Sequence, residues 1–233
     1  KNKTYKHHIK VGFSPEKIVP YTQDPNDFDT FWGGLLEEQK KCPMNAEVTF
    51  APEYSSDKVD CYLVKLQCYT PGQYIYGYLS KPKKPGKYPV VVSPPGAGVK
   101  PMNPMKHMFY AESGCIRFDM EIHGISPALD AATYSDISRT FGSHHANGYL
   151  ANGIQNRDTY YMKRVYLGCV RVVDFVSMLP EWDGKNIIAQ GGSQGGALAL
   201  ILSGLDSRIT ACVANHPALS DMAGYAGENT TGG

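Results

Sequence analysis

A serine between two glycines is the residue of this sequence best suited to nucleophilic chemistry. Gly191, Ser193 and Gly195 form the pattern G-x-S-x-G, which places a serine on a strained turn from a strand to a helix and raises its hydroxyl above the sheet. An apolar run, 187–189, precedes the pattern and an Ala/Leu-rich run follows it. A Gly-rich phosphate-binding turn and a plain tight turn are the alternatives, but the Walker lysine and the dinucleotide G-x-G-x-x-G spacing are both absent. We therefore predict that Ser193 is a nucleophile.

A second Gly-containing turn is placed to form part of the oxyanion hole that a nucleophilic serine requires. The segment 93–98, Ser-Pro-Pro-Gly-Ala-Gly, follows the apolar triplet 90–92. Beside a nucleophile turn, a loop of this kind donates one backbone N–H to an oxyanion hole, and the residue after the serine donates the other. Those residues are Ala97 and Gln194. Taken alone, the segment also fits an ordinary Pro/Gly turn after a strand.

The elements that must position these residues alternate between strands and helices. Period-two apolar patterns on both sides of the turn 70–73 predict a β-hairpin, and apolar spacing of i, i+3 and i+4 predicts a helix over 158–179. Asp27 or Asp29 is placed to cap a helix that ends near Lys41. Further strands are predicted at 5–13, 90–92, 115–119, 186–190 and 208–214, and a further helix at 197–205. The irregular segment 121–156 is expected to overhang the substrate. This order predicts an α/β fold with a mostly parallel sheet flanked by helices.

The amino-acid composition of the chain bears on which kinds of molecule it is expected to bind. The chain has 23 Lys and Arg against 22 Asp and Glu, so its charge gives no reason to expect nucleic acid or an anionic membrane. No window carries the 18 or so apolar residues of a membrane span. The six cysteines form no C-x-x-C pair, so neither a metal nor another cofactor is expected. Cys212 lies in an apolar run, where a thiol is expected to be buried, and a disulfide stays open.

Three motifs in order resemble the acetyl xylan esterase / cephalosporin C deacetylase family (carbohydrate esterase family seven) of the α/β-hydrolase superfamily. They are NDFDTFW at 26–32, NRDTYYMKRVY at 156–166 and GGSQGG at 191–196. The resemblance runs from about residue 20 to the end and implies an α/β-hydrolase that removes acetyl groups from sugars or cephalosporins with a Ser-His-Asp triad and no metal. Acetylated carbohydrate is the implied substrate, and homo-oligomers are common in the family. Ala97 departs from the pattern, because relatives carry an aromatic residue there.

The resemblance also predicts how the chain is divided. Residues 1–20 are expected to be a tail or a junction from an upstream segment, and residues 21–233 the N-terminal two-thirds of the catalytic domain. It places the triad acid and base beyond Gly233, so the domain is expected to be truncated at its C-terminus.

Candidates for the acid and base within the chain are weak. Asp206 is expected to end a helix, and Asp221 and His216 follow the last predicted strand. His123, His144 and His145 precede the serine, where solvated loop positions are expected, with a substrate contact as the alternative. Three functions therefore stay open at this point: a serine acetylesterase, a catalytically inactive fragment without its acid and base, and a serine peptidase of the same fold.

Overall fold

The computed structural model describes residues 6, 11, 13–17, 23–141, 148–220 and 222. Most of the predicted strand 5–13 and of the predicted junction 1–20 lies outside the described residues. His144, His145 and Asp221 lie outside them as well, and so does the part of the predicted overhang at 142–147.

A seven-stranded sheet forms the centre of the described chain, in the order β1-β2-β3-β5-β4-β6-β7. Pairing is antiparallel from β1 through β3 to β5 and parallel among β5, β4, β6 and β7. The sheet is therefore mixed, although β2 points the same way as the four parallel strands. The strands are β1 Glu47–Phe50, β2 Val59–Gln67, β3 Tyr74–Pro82, β4 Tyr88–Ser93, β5 Ile116–Glu121, β6 Trp182–Gly192 and β7 Ala211–Asn215.

Five α-helices accompany this sheet within the described ranges. They are α1 Phe28–Lys41, α2 Phe109–Glu112, α3 Ala131–Phe141, α4 Tyr161–Val176 and α5 Gln194–Leu205. Helix α4 packs against α5, α1 packs against α4, and α2 contacts β3 and β5. The predicted hairpin, β2 and β3, and the helix predicted over 158–179, α4, are confirmed. The segment 121–156, predicted to be irregular, contains the helix α3. Strand β6 is longer than predicted, and α5 begins directly after Ser193 rather than at Ala197.

The two faces of the sheet differ, as the period of two in a strand requires. On β2, Val64 and Leu66 face the main core with α4 and α5, while Val59 and Cys61 face a smaller cluster with α2. On β5, the apolar residues at even positions, such as Phe118, belong to the main core. The odd positions of β5 are charged and buried: Arg117, Asp119 and Glu121.

Helix α1 is held by packing rather than by the predicted cap. Asp27 occupies the N-cap position but makes no side-chain cap hydrogen bond. Its carboxylate instead pairs with Arg157 at 2.7 Å. Trp32 of α1 contacts the Tyr166 ring of α4, with 5.9 Å between ring centroids.

Strand β7 lies at one edge of the sheet and is mostly exposed, with Val213 46 % exposed. The expectation that Cys212 is buried is therefore wrong, because both faces of this edge strand are open. All six cysteines are described, and all are free.

Candidate active site

Ser193 occupies the turn between β6 and α5 with a backbone conformation that side chains rarely adopt. Its φ is 55° and its ψ is −124°, a region that costs on the order of 1–3 kcal/mol for a residue with a side chain. Three backbone hydrogen bonds hold it there. The Ser193 N–H donates to the Asn215 carbonyl at 3.0 Å, and the Ser193 carbonyl accepts from the N–H groups of Ala197 and Ala218. The serine is half-buried, and its hydroxyl makes no hydrogen bond to any described residue.

Two glycines make this turn sterically possible. A Cβ on Gly191 would lie 2.2 Å from the Gly195 carbonyl oxygen, across the turn. A Cβ on Gly195 would lie 2.4 Å from the Pro94 carbonyl oxygen, in the loop after β4. Even an alanine therefore collides with backbone at either position, which explains the G-x-S-x-G spacing at this site. The second contact also shows that the segment 94–98 lies directly against the start of α5.

Ala97 and Gln194, the predicted oxyanion donors, lie on two segments that meet beside Ser193, the loop after β4 and the start of α5. Their role stays a prediction. Ala97 lies exposed on the loop after β4, and Gln194 is the first residue of α5. In the described part of the chain, neither backbone N–H has a hydrogen-bond partner. The N-terminus of α5 also carries partial positive charge from the aligned peptide dipoles. Both groups are thus available to an oxygen that becomes negative during a reaction.

Two buried side chains support the loop that carries Ala97. The Gly98 N–H donates to the Tyr149 hydroxyl at 3.0 Å, and that hydroxyl donates to Gln194 Oε1 at 2.6 Å. Gln194 Nε2 in turn donates to the Pro95 carbonyl at 3.4 Å. Neither Tyr149 nor the side chain of Gln194 is identified by the sequence motifs.

A polar layer, made of Glu121, His123 and Tyr161, lies beside this loop. The expectation that His123 is solvated is wrong. His123 is 6 % exposed, its Nδ1 lies 2.7 Å from the Tyr161 hydroxyl, and its ring packs against Tyr149. Burial lowers the pKa of His123 to about 4, with a smaller contribution from the nearby Arg164 guanidinium, while a hydrogen bond with the Gly98 backbone opposes the shift. At neutral pH His123 is therefore uncharged.

Glu121 lies in the same layer. Its two carboxylate oxygens accept the N–H groups of His123 and Ile125, each at 2.9 Å. Burial raises the pKa of Glu121 to about 7, and these backbone hydrogen bonds limit the rise.

A cavity of about 310 Å³ adjoins the turn 191–195, here called the elbow, on the opposite face of the sheet from α4 and α5. Both polar and apolar residues line it. Arg117 lies at its base, where it bonds Asp119, Gln190 and Ser93, each at 2.9 Å. His107 Nδ1 lies 3.1 Å from Asp119 Oδ1 at the rim. This cluster was not predicted from the sequence, although two charges that alternate with apolar residues in a central strand are a usable signal.

The remaining candidates do not complete a triad within the described residues. Asp206 ends α5, as predicted, and its carboxylate pairs with Arg208. The exposed His216 ring lies beside the elbow, with Nε2 3.6 Å from the position of a Cβ on Gly192. No described histidine hydrogen-bonds to Ser193.

Across the described ranges, no group of three or more His, Cys, Asp or Glu side chains could hold a metal ion, and no helix is long and apolar enough to cross a membrane.

Comparison with known proteins identifies the family of this chain. The family model for acetyl xylan esterase (AXE1) matches residues 16–226. An acetyl esterase, Axe7A of Xylanibacter ruminicola, is 54 % identical over 231 residues, which cover 98 % of this chain and 52 % of that protein. The chain thus spans about half the length of this curated relative.

Solved structures show the same fold. An acetyl xylan esterase from Paenibacillus sp. R4 superposes with a TM-score of 0.72 at 30 % identity, over 85 % of this chain and 61 % of that one. Acetyl xylan esterase 1 from Thermoanaerobacterium sp. JW/SL YS485 gives a TM-score of 0.70 at 23 % identity, over 83 % and 59 % of the two chains. These neighbours confirm the α/β-hydrolase fold. The chain belongs to the acetyl xylan esterase (AXE1) family.

Proposed function

We propose that the protein is a serine esterase that removes acetyl groups from carbohydrate, with Ser193 as its nucleophile. The observation that carries this proposal is the strained conformation of Ser193 at the start of α5. The backbone N–H groups of Ala97 and Gln194 also have no hydrogen-bond partner among the described residues. Backbone strain of this kind clusters at active sites, and the nucleophilic serine of this fold takes this conformation on its turn. Family membership supports acetyl as the acyl group.

The reaction follows from the arrangement. Ser193 Oγ attacks the acetyl carbonyl carbon while a histidine accepts the hydroxyl proton. The carbonyl oxygen becomes negative and is held by the N–H groups of Ala97 and Gln194. The tetrahedral intermediate expels the sugar alkoxide, which receives the proton from the histidine. Water then loses a proton to the same histidine and attacks the acetyl-serine ester; the histidine returns the proton to Ser193 Oγ, and acetate leaves. In the family's pattern the base, and the acid that orients it, follow residue 233, and we propose that the same holds for this protein.

The substrate is proposed from the chemistry of the site and from the relatives. The lining of the cavity beside the elbow includes the amide of Asn103 and the charged side chains of Lys106 and Asp119, and it reaches Gly192, the residue before Ser193. Groups of this kind bind hydroxyl-rich molecules better than they bind lipid chains. Relatives named acetyl esterase and acetyl xylan esterase support acetylated xylan or a related acetylated sugar. We further propose that residues 21–233 belong to the catalytic domain, that residues 1–20 are a tail or junction, and that the protein forms homo-oligomers.

The test compares the protein at its natural length with Ser193→Ala, using acetylated xylo-oligosaccharide and p-nitrophenyl acetate. Ser203→Ala is the matched control, because Ser203 lies on α5 and bonds only the Ala199 carbonyl within its own helix. Ser193→Ala is expected to lower kcat by roughly 10³-fold to 10⁶-fold, and Ser203→Ala to leave it unchanged. Equal activity of the two variants would refute the role of Ser193. Turnover of peptide substrates in place of acetyl esters would instead identify a peptidase.

A further inference from the structure

Two buried side chains connect the two backbone donors of the proposed oxyanion hole. One donor, Ala97, lies on the loop after β4, and the other, Gln194, lies at the start of α5. The Tyr149 hydroxyl joins these elements, since it accepts from the Gly98 N–H and donates to Gln194 Oε1. Tyr149 is 3 % exposed and Gln194 is 1 % exposed, so water does not compete for these bonds.

The attachment points lie on both sides of Ala97. Gln194 Nε2 donates to the Pro95 carbonyl, before Ala97, and Tyr149 accepts from the Gly98 N–H, after it. Gly98 has a φ of 110°, a conformation that only glycine adopts readily. The peptide that carries the Ala97 N–H is therefore held between two fixed points, both fixed relative to Gln194.

The direction of each hydrogen bond in this connection is determined. The Tyr149 hydroxyl accepts a backbone N–H, so its own proton is directed at Gln194 Oε1. That contact orients the Gln194 amide with its nitrogen toward Pro95. Burial raises the pKa of Tyr149, which keeps the hydroxyl protonated in neutral solution. The His123 ring packs against Tyr149 with 4.7 Å between centroids and limits where the phenol can move.

We propose that Tyr149 is a positioning residue that sets the distance between the Ala97 and Gln194 N–H groups, through the Gln194 side chain. The proposal rests on the proposed esterase function. Both donors act on the oxygen of the tetrahedral intermediate rather than on the bound ester. Loss of Tyr149 therefore weakens transition-state binding and leaves ground-state binding almost unchanged.

The test is Tyr149→Phe in the natural-length protein, with kcat and KM measured on p-nitrophenyl acetate. This change removes one oxygen and keeps the ring against His123. The expected result is a fall in kcat of roughly tenfold to a hundredfold, since displacing a catalytic group by about 1 Å costs about a hundredfold, with KM within about twofold. Tyr134→Phe is the matched control: Tyr134 is equally buried and bonds the Ser126 carbonyl, away from the loop after β4.

A second variant shows whether Tyr149 acts through Gln194. Gln194→Met removes the side-chain amide but keeps the backbone N–H, and it is expected to lower kcat to a similar extent. The double variant is then expected to be no worse than the poorer single variant, because both changes break one connection. If the loss of kcat in the double variant equals the product of the two single losses, Tyr149 does not act through Gln194 and the proposal is overturned. If Tyr149→Phe fails to fold, Gln194→Met decides through the same split between kcat and KM.

The outcomes separate this inference from the proposed function. Full activity of Ser193→Ala would refute the proposed function itself. If Ser193→Ala is inactive while Tyr149→Phe matches Tyr134→Phe in kcat, the esterase stands and the positioning role of Tyr149 is refuted. A rise in KM with unchanged kcat would likewise refute it, because that pattern indicates a substrate contact.

Discussion

Gly195→Ala tests whether the close approach of α5 to the loop after β4 is essential to the site. The added Cβ would lie 2.4 Å from the Pro94 carbonyl oxygen and 3.0 Å from the Pro95 carbonyl oxygen. Ordinary contacts begin at about 3.5 Å, so the loop must retreat by roughly 1 Å. Overpacking of this kind costs about 1–3 kcal/mol, partly offset by up to about 1 kcal/mol because alanine favours the helix. The same retreat moves the Ala97 N–H, and kcat is expected to fall by roughly a hundredfold.

Gly204→Ala is the matched control for this experiment. Gly204 lies near the other end of α5, and nothing lies within 4 Å of a Cβ built there. This variant is expected to be unchanged or more stable by up to about 1 kcal/mol, with wild-type kcat. The assays are thermal unfolding and steady-state hydrolysis of p-nitrophenyl acetate by both variants. If Gly195→Ala is as stable and as active as Gly204→Ala, the reasoning about the elbow is wrong.

Two further predictions concern buried charges. Glu121 has a pKa raised from 4.5 to about 7. Its contribution to the free energy of unfolding is therefore fully present below pH 4.5 and is lost as the pH rises through 7. This loss of stability amounts to roughly 3 kcal/mol at most. Unfolding of the wild type and of Glu121→Gln between pH 4.5 and 8 checks this, and parallel stability curves would contradict it. Arg171, 4 % exposed, donates to the carbonyls of Gln39, Cys42 and Cys68. Arg171→Met leaves these buried carbonyls without their donor and is expected to cost about 2–4 kcal/mol in chemical denaturation with kcat unchanged; a large loss of kcat in folded protein would contradict a purely structural role.

The sequence was sufficient where one local rule decided the structure. The elbow needs glycines on both sides of Ser193, because side chains there collide with backbone, and the motif records that requirement directly. The long helix α4 was predicted because its apolar residues repeat with the helical period, and the hairpin because Pro71 and Gly72 mark its turn between alternating strands. Each of these signals lies within about 20 residues of the chain.

The rest depended on contacts between distant residues. Asp27 has the residue type of a cap, yet Arg157, far along the chain, takes its carboxylate. His123 lies in a segment without a regular apolar pattern, yet the loop after β4 and Tyr161 bury it. Cys212 lies in an apolar run that is exposed because both faces of β7 are open. Tyr149 follows a segment in which apolar residues have no regular spacing, so no local pattern indicates that its hydroxyl bonds Gln194.

Active-site labelling tests the central claim about Ser193 most directly. The natural-length protein is treated with a fluorophosphonate, which forms a covalent bond with an activated serine, and the labelled peptide is identified by mass spectrometry. The expected result is one label per chain, on the peptide that contains Ser193, with protection by an acetylated xylo-oligosaccharide and no label in Ser193→Ala. Labelling of another serine, or unchanged labelling of Ser193→Ala, would show that the elbow at Ser193 is not the reactive centre.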